Sequence, residues 1–573
     1  MPLTDRFHFI GLKQGYTSLQ DTSDMHAEIG GKAHGLFSAQ RALEKSEGSF
    51  PDITLDIPAM TVIGTSVFDA FLERNRLTNI AYDDLPDERI AHAFQNADMP
   101  FEVLGDLRNL VLEWNSPLAV RSSGFLEDST RRPFAGVYAT KMIPNNQYDP
   151  DTRFQKILEA IKYVWASTYF KIAKDYCRAT GLDCRTEKMA VILQEMVGKR
   201  HADRYYPELS GVARTFNYYP VKPACPQDGV VDLALGLGKT IVDGGKTWSF
   251  SPAYPKRPPP FESMEELFAE TQNEFWVVNM GELPEYDPIK ETEYMQLVNL
   301  HAAEQDNTLH YLVSTFDPIS ERLSIGMSYK GPRVLTFAPL LELGELPINS
   351  LIKAVLSACA KETGGPVEIE FAMTFDPHHF ALLQVRPMVL PSGNQTVTHK
   401  DLKNSKNLVA SELVLGNGQI EDIADIVFVK PDRFDLKHTR KIANELESFN
   451  RNLLEQGKPY VLFVFGRLGT FDPWLGIPVT WGQVCGASVI VEATQENVKV
   501  ELSQGSHYFH NLINLGVMYF SMPFNSPYRI QWSWLQDLPT VQETEFVRHV
   551  RAPGGLNVRV DGRTGRGIIR RNA

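Results

Sequence analysis

LAVRSSGFLEDSTRRPFAGVYAT, residues 118–140, is the stretch that most strongly decides the fold and the ligand of this chain. Its apolar start predicts a strand that ends at Arg121, with Ser122 directly after it. A guanidinium is a planar fork of N–H donors that matches phosphate oxygens, so Arg121 and Ser122 are candidate phosphate-binding residues. The small-residue run 134–136 (FAG) is typical of a loop that folds over phosphates.

A second candidate lies upstream, at Gly30-Gly31-Lys32, just before the helical pattern of residues 35–45. Two glycines let the backbone approach a ligand closely, and a lysine supplies a mobile point charge. The GxxxxGK[ST] spacing of a Walker A loop is absent. Lys32 is therefore a candidate phosphate-binding residue outside that motif class.

A third candidate lies downstream, where residues 366–375 and 379–386 predict two strands joined by a turn at Pro377. Alternate residues of a strand share a face, so Glu370 on the first strand, and Gln384 with Arg386 on the second, are able to converge. A carboxylate and an amide oxygen suit Mg²⁺, which prefers oxygen ligands. The hairpin thus predicts a metal site beside a cation.

Each segment also has a plainer interpretation. Arg121 would form a surface ion pair with Glu127 or Asp128. Lys32 would be a solvated lysine in the turn that starts a helix. Arg386 would form an ordinary cross-strand pair with a glutamate of the hairpin.

The rest of the chain mixes helical and strand patterns, which predicts an α+β or α/β fold. Apolar residues at three- and four-residue steps predict helices at 154–175 and 347–363, and the apolar run 189–197 predicts a buried strand. The polar, turn-rich stretch 391–406 predicts a domain boundary.

Bulk properties limit the partners. The net charge of −13 gives no basic footprint for nucleic acid. We expect no membrane span and no signal peptide, because no run of about 18 apolar residues occurs and the amino terminus lacks an apolar core. The cytoplasm is the expected compartment. The five cysteines contain no CxxC pair and are expected to be mostly buried or free thiols.

Seven segments, in this order, resemble the ATP-grasp nucleotide-binding domain of pyruvate phosphate dikinase and phosphoenolpyruvate synthase. Rifampin phosphotransferase and glucan water dikinase use a similar domain. The segments are IGGKAHGL (29–36), IPAMTVIGTSVFDAFLERN (57–75), LAVRSSGFLED (118–128) with FAG, ILQEMV (192–197), SGVART (210–215), LALGLGKTIVDGG (233–245), and VEIEFAM (367–373) with LLQVRP (382–387).

The resemblance implies a two-lobed ATP-grasp fold, with lobes at 1–187 and 188–395, followed by a separate mixed α/β domain at 396–573. Full dikinases also carry a phosphohistidine domain and a (β/α)₈ barrel, and neither signature is found here. After residue 395 only 178 residues remain, fewer than the ~250 that such a barrel needs.

The resemblance also implies a role for each matching residue. Lys32 and Arg121 would contact the ATP phosphates beside Ser122, Gly136 would lie on the phosphate-covering loop, Glu195 and Val197 would meet adenine through backbone groups, Glu370 and Gln384 would hold Mg²⁺, and Arg386 would assist transfer at the γ-phosphate. One departure stands out, because the family often has Gly-Leu-Gly-Glu where this chain has Lys239 at the fourth position. The interval from Glu370 to Gln384 is about two residues longer than usual, which we attribute to a longer turn at Pro377.

The carboxy-terminal region adds His507 as a candidate phosphoryl acceptor, since a neutral imidazole is a nucleophile. Its alternatives are a structural histidine or, with His510, part of a zinc site. The sequence therefore predicts an ATP- and Mg²⁺-dependent phosphotransferase acting on a histidine or on an acceptor held by the carboxy-terminal domain. The alternatives are a non-catalytic ATP-binding sensor or scaffold, and a phosphotransferase that acts on a protein or an antibiotic-like compound.

Overall fold

The structure is a computed structural model. It describes residues 6–12, 15–18, 26–44, 50–125, 127, 136–180, 183–261, 263–327, 331–388, 390, 395–470, 472–495, 508, 512, 515–562 and 564–572. The candidate His507, together with His510 and the stretch 128–135, lies outside the described residues.

The chain divides into two compact units. The first comprises Met1–Ala173, Asp183–Val242 and Lys246–Met388, and the second comprises Lys174–Leu182, Asp243–Gly245 and Val389–Ala573.

Both helices and strands occur along the whole described chain. The helices are α1 His26–Glu44, α2 Thr65–Arg74, α3 Thr78–Tyr82, α4 Asp87–Gln95, α5 Leu104–Glu113, α6 Pro150–Ser167, α7 Lys171–Thr180, α8 Lys239–Val242, α9 Met264–Glu270, α10 Leu300–Gln305, α11 Ile348–Thr363, α12 His399–Leu402, α13 Thr439–Glu455 and α14 Trp532–Asp537.

The strands are β1 Phe7–Gly11, β2 Gly15–Ser18, β3 Thr54–Asp56, β4 Met60–Ile63, β5 Leu118–Gly124, β6 Thr140–Ile143, β7 Met189–Glu195, β8 Lys199–His201, β9 Arg204–Tyr206, β10 Leu209–Arg214, β11 Val230–Ala234, β12 Trp248–Phe250, β13 Glu274–Asn279, β14 Met295–Asn299, β15 Val313–Asp317, β16 Arg322–Ile325, β17 Arg333–Leu335, β18 Val367–Phe375, β19 His378–Pro387, β20 Asn407–Ser411, β21 Val414–Leu415, β22 Gly418–Val429, β23 Tyr460–Phe465, β24 Arg467–Leu468, β25 Gly476–Ile477, β26 Ala487–Ala493, β27 Met518–Met522, β28 Thr540–Glu543, β29 Val547–Asp561 and β30 Arg566–Arg571.

Two six-stranded sheets dominate the first unit. One has the order β2-β1-β4-β7-β5-β6, and the other has the order β12-β11-β10-β18-β19-β3. Both are mixed sheets, because β1 runs parallel to β4 and β19 runs parallel to β3 while the other pairs are antiparallel. The predicted combination of helices and strands in one mixed α/β architecture is therefore confirmed.

Helix α1 contacts one strand from each of these sheets, and two glycines allow the close approach. Gly30 has φ +73° and ψ 175°, and a Cβ placed there would lie 1.9 Å from the Ser123 carbonyl oxygen of β5. A Cβ at Gly35 would lie 2.5 Å from the Val385 carbonyl oxygen of β19. The Ser123 hydroxyl also donates to the Ile29 carbonyl at 2.7 Å. This packing fixes the position of Lys32, which lies between Gly30 and Gly35 on the same helix.

The structure corrects three local expectations. Strand β5 continues past Arg121 to Gly124. The single helix expected at 154–175 is instead two helices, since α6 ends at Ser167 and α7 begins at Lys171. Cys177 and Cys184 are disulfide-bonded, so the expectation of free thiols is wrong for this pair, while the other three cysteines are free.

The second unit is built on one large sheet of order β20-β30-β29-β22-β23-β26-β27-β21, with β28 on β29. Strands β22, β23, β26 and β27 are parallel neighbours. The apolar sequence of β23 (YVLFVF), buried at every residue, is typical of a strand covered on both faces. Over the described part of the chain, no helix has the length and apolar character needed to span a membrane.

Candidate functional site

The hairpin of β18 and β19 brings the predicted metal and phosphate residues together. Glu370 lies directly opposite Gln384, and Glu368 lies directly opposite Arg386. Because residues directly opposite each other share a face of the sheet, all four side chains leave the hairpin on one side. The convergence expected from strand alternation is confirmed.

A β-bulge lies in the middle of this hairpin. The register shifts between Glu370 and Phe371, which pair with Gln384 and Leu382, so Leu383 is the extra residue. The turn contains only two residues, because Phe375 pairs with His378. The expectation of a longer turn at Pro377 is therefore wrong.

Arg121 on β5 reaches this hairpin from the other six-stranded sheet. Its guanidinium donates to Gln384 Oε1 at 2.6 Å and to the Leu383 carbonyl at 2.7 Å. It also donates to Gln194 Oε1 at 3.1 Å and lies 3.7 Å from Glu370 Oε2. The carbonyl that it binds belongs to the bulged residue, so the irregularity in β19 provides one of its main contacts.

Arg386 is held between two carboxylates of β18. Its Nε donates to Glu368 Oε1 at 2.6 Å and its Nη2 donates to Glu370 Oε1 at 3.2 Å. The plainer interpretation, a cross-strand pair with a glutamate, thus describes the ligand-free contact. A guanidinium used in this way still has further N–H donors.

Lys32 forms a second cluster with Ser122 and Glu127. Its Nζ lies 2.5 Å from Glu127 Oε1 and donates to Ser122 Oγ at 3.0 Å. Ser122 and Arg121 are consecutive on a strand, so their side chains point to opposite faces. Lys32 is only 14% exposed, which excludes a solvated lysine, and Glu127 is paired with it rather than with Arg121.

The predicted adenine residues lie at and just beyond the end of β7. The Glu195 N–H donates to the Ala59 carbonyl at 2.9 Å, so that N–H is already used within the fold. Val197 packs in a small apolar cluster with Ala372 and Ala381, and Leu383 lies against it. This cluster is the apolar continuation of the hairpin face that carries Glu370.

Two other residues singled out in the sequence, Gly136 and Lys239, lie on other segments of the first unit. Gly136 is exposed with φ +64°, in the left-handed region that favours glycine. Lys239 begins α8 and lies 3.4 Å from Glu291 Oε1.

Sequence reasoning missed three residues of this region: Gln194, Arg214 and Asp232. Arg214 lies on β10 within the SGVART segment and forms ion pairs with Asp232 and Glu368. Burial is the largest influence on Asp232 and raises its pKa, although Arg214 opposes this effect. The signal that would have identified Arg214 is its charge at the end of the short strand LSGVAR, which is buried along its whole length.

The oxygen atoms of Glu370 and Gln384 fit the chemistry of a Mg²⁺ site. One carboxylate and one amide oxygen are hard donors, and Mg²⁺ commonly takes few protein ligands and completes its shell with phosphate and water oxygens. Within the described residues, no group of three or more His, Cys, Asp or Glu is arranged to hold a metal ion. With Glu370 and Gln384 as its protein donors, a Mg²⁺ here would take its other ligands from phosphate and water oxygens.

Comparison with known families identifies this arrangement. Residues 26–406 match the family model of the pyruvate phosphate dikinase AMP/ATP-binding domain, which is 381 of the 573 residues. The chain belongs to this family. All of the predicted dikinase-type residues except His507 fall inside the matched range.

The chain matches only part of the length of its relatives in the dikinase family. It is 29% identical over 230 residues to a rifampicin phosphotransferase from Streptomyces sviceus, covering 38% of this chain and 24% of that protein. It is 32% identical over 130 residues to a phosphoenolpyruvate synthase from Aeropyrum pernix, covering 23% of this chain and 14% of that protein. The matches thus span a quarter or less of these relatives.

Proposed function

We propose that this chain is an ATP- and Mg²⁺-dependent phosphotransferase of the dikinase type. Its nucleotide-binding part would be a two-lobed ATP-grasp fold with lobes at 1–187 and 188–395, followed by a carboxy-terminal α/β domain at 396–573. The family supplies the expectation of ATP binding. The acceptor and the metal dependence are what the proposal adds.

One observation carries the proposal: two guanidinium groups and two oxygen donors meet at the β18–β19 hairpin, beside an apolar cluster. Adenine would lie against Val197 and Ala372. The phosphates would then extend along the same face toward Glu370 and Arg386. Apolar and charged residues follow each other in the order that a nucleotide requires.

The chain's own residues would act mainly through charge and position. Arg121 and Arg386 would donate N–H groups to the phosphate oxygens, where negative charge must be offset as the phosphoryl group leaves. Lys32 would exchange its contact with Glu127 for a phosphate. Arg121 would keep its contacts with Gln194 and the Leu383 carbonyl while it exchanges Gln384 and Glu370 for phosphate oxygens.

Glu370 and Gln384 would hold Mg²⁺, which bridges phosphate oxygens and neutralises charge when it is bound. In the ligand-free protein both are engaged by Arg121, at 3.7 Å and 2.6 Å. We therefore expect nucleotide and metal to bind together, because the phosphates take over the contacts of the arginine while the oxygen ligands turn to the metal.

The acceptor would be a histidine, for which His507 is the candidate in this chain, or a molecule held by the carboxy-terminal domain. The names of the relatives include a transferase that acts on rifampicin. An antibiotic-like acceptor is therefore included among the candidates to be tested.

Nucleotide analysis tests the proposal. The protein is incubated with ATP and Mg²⁺, with and without candidate acceptors, and the nucleotides are separated. AMP with phosphate would establish dikinase chemistry, and ADP alone would establish a simple kinase. ATP binding by calorimetry without any product would favour the second candidate, a non-catalytic sensor. That candidate is motivated by Lys239, which stands where the family often has a glutamate and lies 3.4 Å from Glu291 Oε1.

A further inference from the structure

A row of alternating charges crosses four adjacent strands of the second six-stranded sheet. On β10, Arg214 lies directly opposite Glu368 of β18, and Glu368 lies directly opposite Arg386 of β19. Asp232 of β11 lies opposite Val212, two residues from Arg214. Directly opposite and alternate residues share a face, so the row continues from Asp232 to Arg386 on one side of the sheet.

Close contacts join these charges into one chain. Arg214 Nη1 donates to Asp232 Oδ2 at 3.2 Å, and its Nη2 lies 2.5 Å from Glu368 Oε2. The other oxygen of Glu368, Oε1, accepts from Arg386 Nε at 2.6 Å. Glu368 is therefore shared between a buried arginine on one side and the candidate phosphate-site arginine on the other.

Arg214 cannot reach a nucleotide itself. Its side chain and that of Glu368 are both 0% exposed, whereas Arg386 is 7% exposed and Glu370 is 16% exposed at the site. Buried charges interact strongly because little water screens them. Any influence of Arg214 on bound phosphate must therefore pass through Glu368 and Arg386.

We propose that Arg214 is a positioning residue for the phosphate site. Arg214 holds one oxygen of Glu368 and leaves only the other oxygen for Arg386 Nε. Arg386 Nη2 therefore stays directed toward Glu370 and the position of the terminal phosphate. This inference rests on the proposed function of the β18–β19 hairpin.

The expected consequence of losing Arg214 follows from the energetics of a buried carboxylate. Without Arg214, Glu368 Oε2 would lose the guanidinium that lies 2.5 Å away, which is costly for a fully buried charge. Arg386 would relieve this by turning its fork onto both oxygens of Glu368. Its donors would then leave the position of the terminal phosphate, while the adenine contacts would be unchanged.

Calorimetric titration with ATP and with AMP, both in the presence of Mg²⁺, tests the inference without knowledge of the acceptor. For Arg214→Met we expect ATP affinity to fall about tenfold, the scale of one lost charge-assisted hydrogen bond, with AMP affinity within about twofold of wild type. Arg214→Lys keeps the charge but lacks the forked guanidinium that contacts Asp232 and Glu368. Its ATP affinity should therefore lie between those of the wild type and Arg214→Met.

A double variant separates positioning from general stability. If Arg214 acts through Arg386, then adding Arg214→Met to Arg386→Ala should cost no further ATP affinity. The matched control is Arg204→Met, which removes another arginine–aspartate pair of the same unit, at 2.6 Å from Asp306, and should leave the ATP-to-AMP preference unchanged.

The outcomes distinguish the two proposals. Equal loss of ATP and AMP affinity in Arg214→Met, or additive losses in the double variant, would overturn the positioning role while leaving ATP binding by the wild type intact. Absence of ATP binding by the wild type would overturn the proposed function, and this inference with it. Should Arg214→Met fail to fold, Arg214→Lys carries the same comparison.

Discussion

Replacing Glu492 with Gln should make the protein more stable above neutral pH and change little in mild acid. Glu492 lies on β26 and is 1% exposed. Its Oε2 accepts from the Leu468 N–H at 2.9 Å and from the Tyr519 hydroxyl. Burial raises the pKa of this carboxyl to about 7, against the opposing effects of the Tyr519 and Leu468 hydrogen bonds and of the Arg467 charge.

The sign follows from proton binding in the two states. The folded protein holds the Glu492 proton up to about pH 7, whereas in the unfolded chain an ordinary glutamate loses it near pH 4.5. The contribution of this group is fully present below the unfolded pKa and is lost as the pH rises through the folded pKa. A difference of about 2.5 pKa units corresponds to about 3 kcal/mol less stability at pH 8 than at pH 4.5.

Urea unfolding of the wild type and Glu492→Gln at several pH values between 4 and 8 measures this effect. Gln resembles the protonated carboxyl, so the two proteins should be nearly equal at pH 4, and the variant should become about 3 kcal/mol more stable by pH 8. All other titrating groups are common to both proteins and cancel in the difference. The exposed Glu455→Gln should show no such trend. A difference that does not vary with pH would refute the reasoning, because it would mean that Glu492 is ionised in the folded state.

Two further predictions concern the nucleotide-binding unit. Gly30→Ala should destabilise the protein by about 2 kcal/mol or more, since φ +73° with ψ 175° is a region essentially restricted to glycine and the added Cβ would meet the Ser123 carbonyl. Gly105→Ala, in a helix with open space around it, should instead be neutral or stabilising by up to about 1 kcal/mol, and equal urea midpoints for the two variants would contradict this account. Arg386→Ala should lower single-turnover ATP cleavage by about 100-fold or more while ATP affinity falls far less, if the arginine acts chiefly in the transition state. Equal losses in both measurements would argue against that role.

Local patterns predicted the hairpin well. Two-residue alternation within a strand is enough to place Glu370, Gln384 and Arg386 on one face, because an antiparallel hairpin joins neighbours in sequence. The bulge at Leu383 was not predictable in this way, since neither residue identity nor alternation marks which position in β19 is left unpaired.

Contacts between distant segments were much harder to predict. Arg214 and Glu368 meet because β10 lies beside β18 in the sheet, although 154 residues separate them in sequence. Likewise, Glu127 was considered as a partner for Arg121, and only the packing of α1 against β5 shows that Lys32 is its partner. A single sequence gives the strands but not their order, and the order decides which charges become neighbours.

The bulge at Leu383 makes this hairpin tolerant of a change in length. Deleting Leu383 would restore a regular ladder in which Glu370 still faces the glutamine and Glu368 still faces the arginine, since those pairs lie on the side of the bulge away from the turn. The deletion would remove the carbonyl that Arg121 binds and the Leu383 side chain that lies against the Val197 cluster. A one-residue insertion or deletion at this point is therefore a route by which evolution, or a protein engineer, is able to adjust the contact of Arg121 with this hairpin without disturbing the proposed metal ligands Glu370 and Gln384.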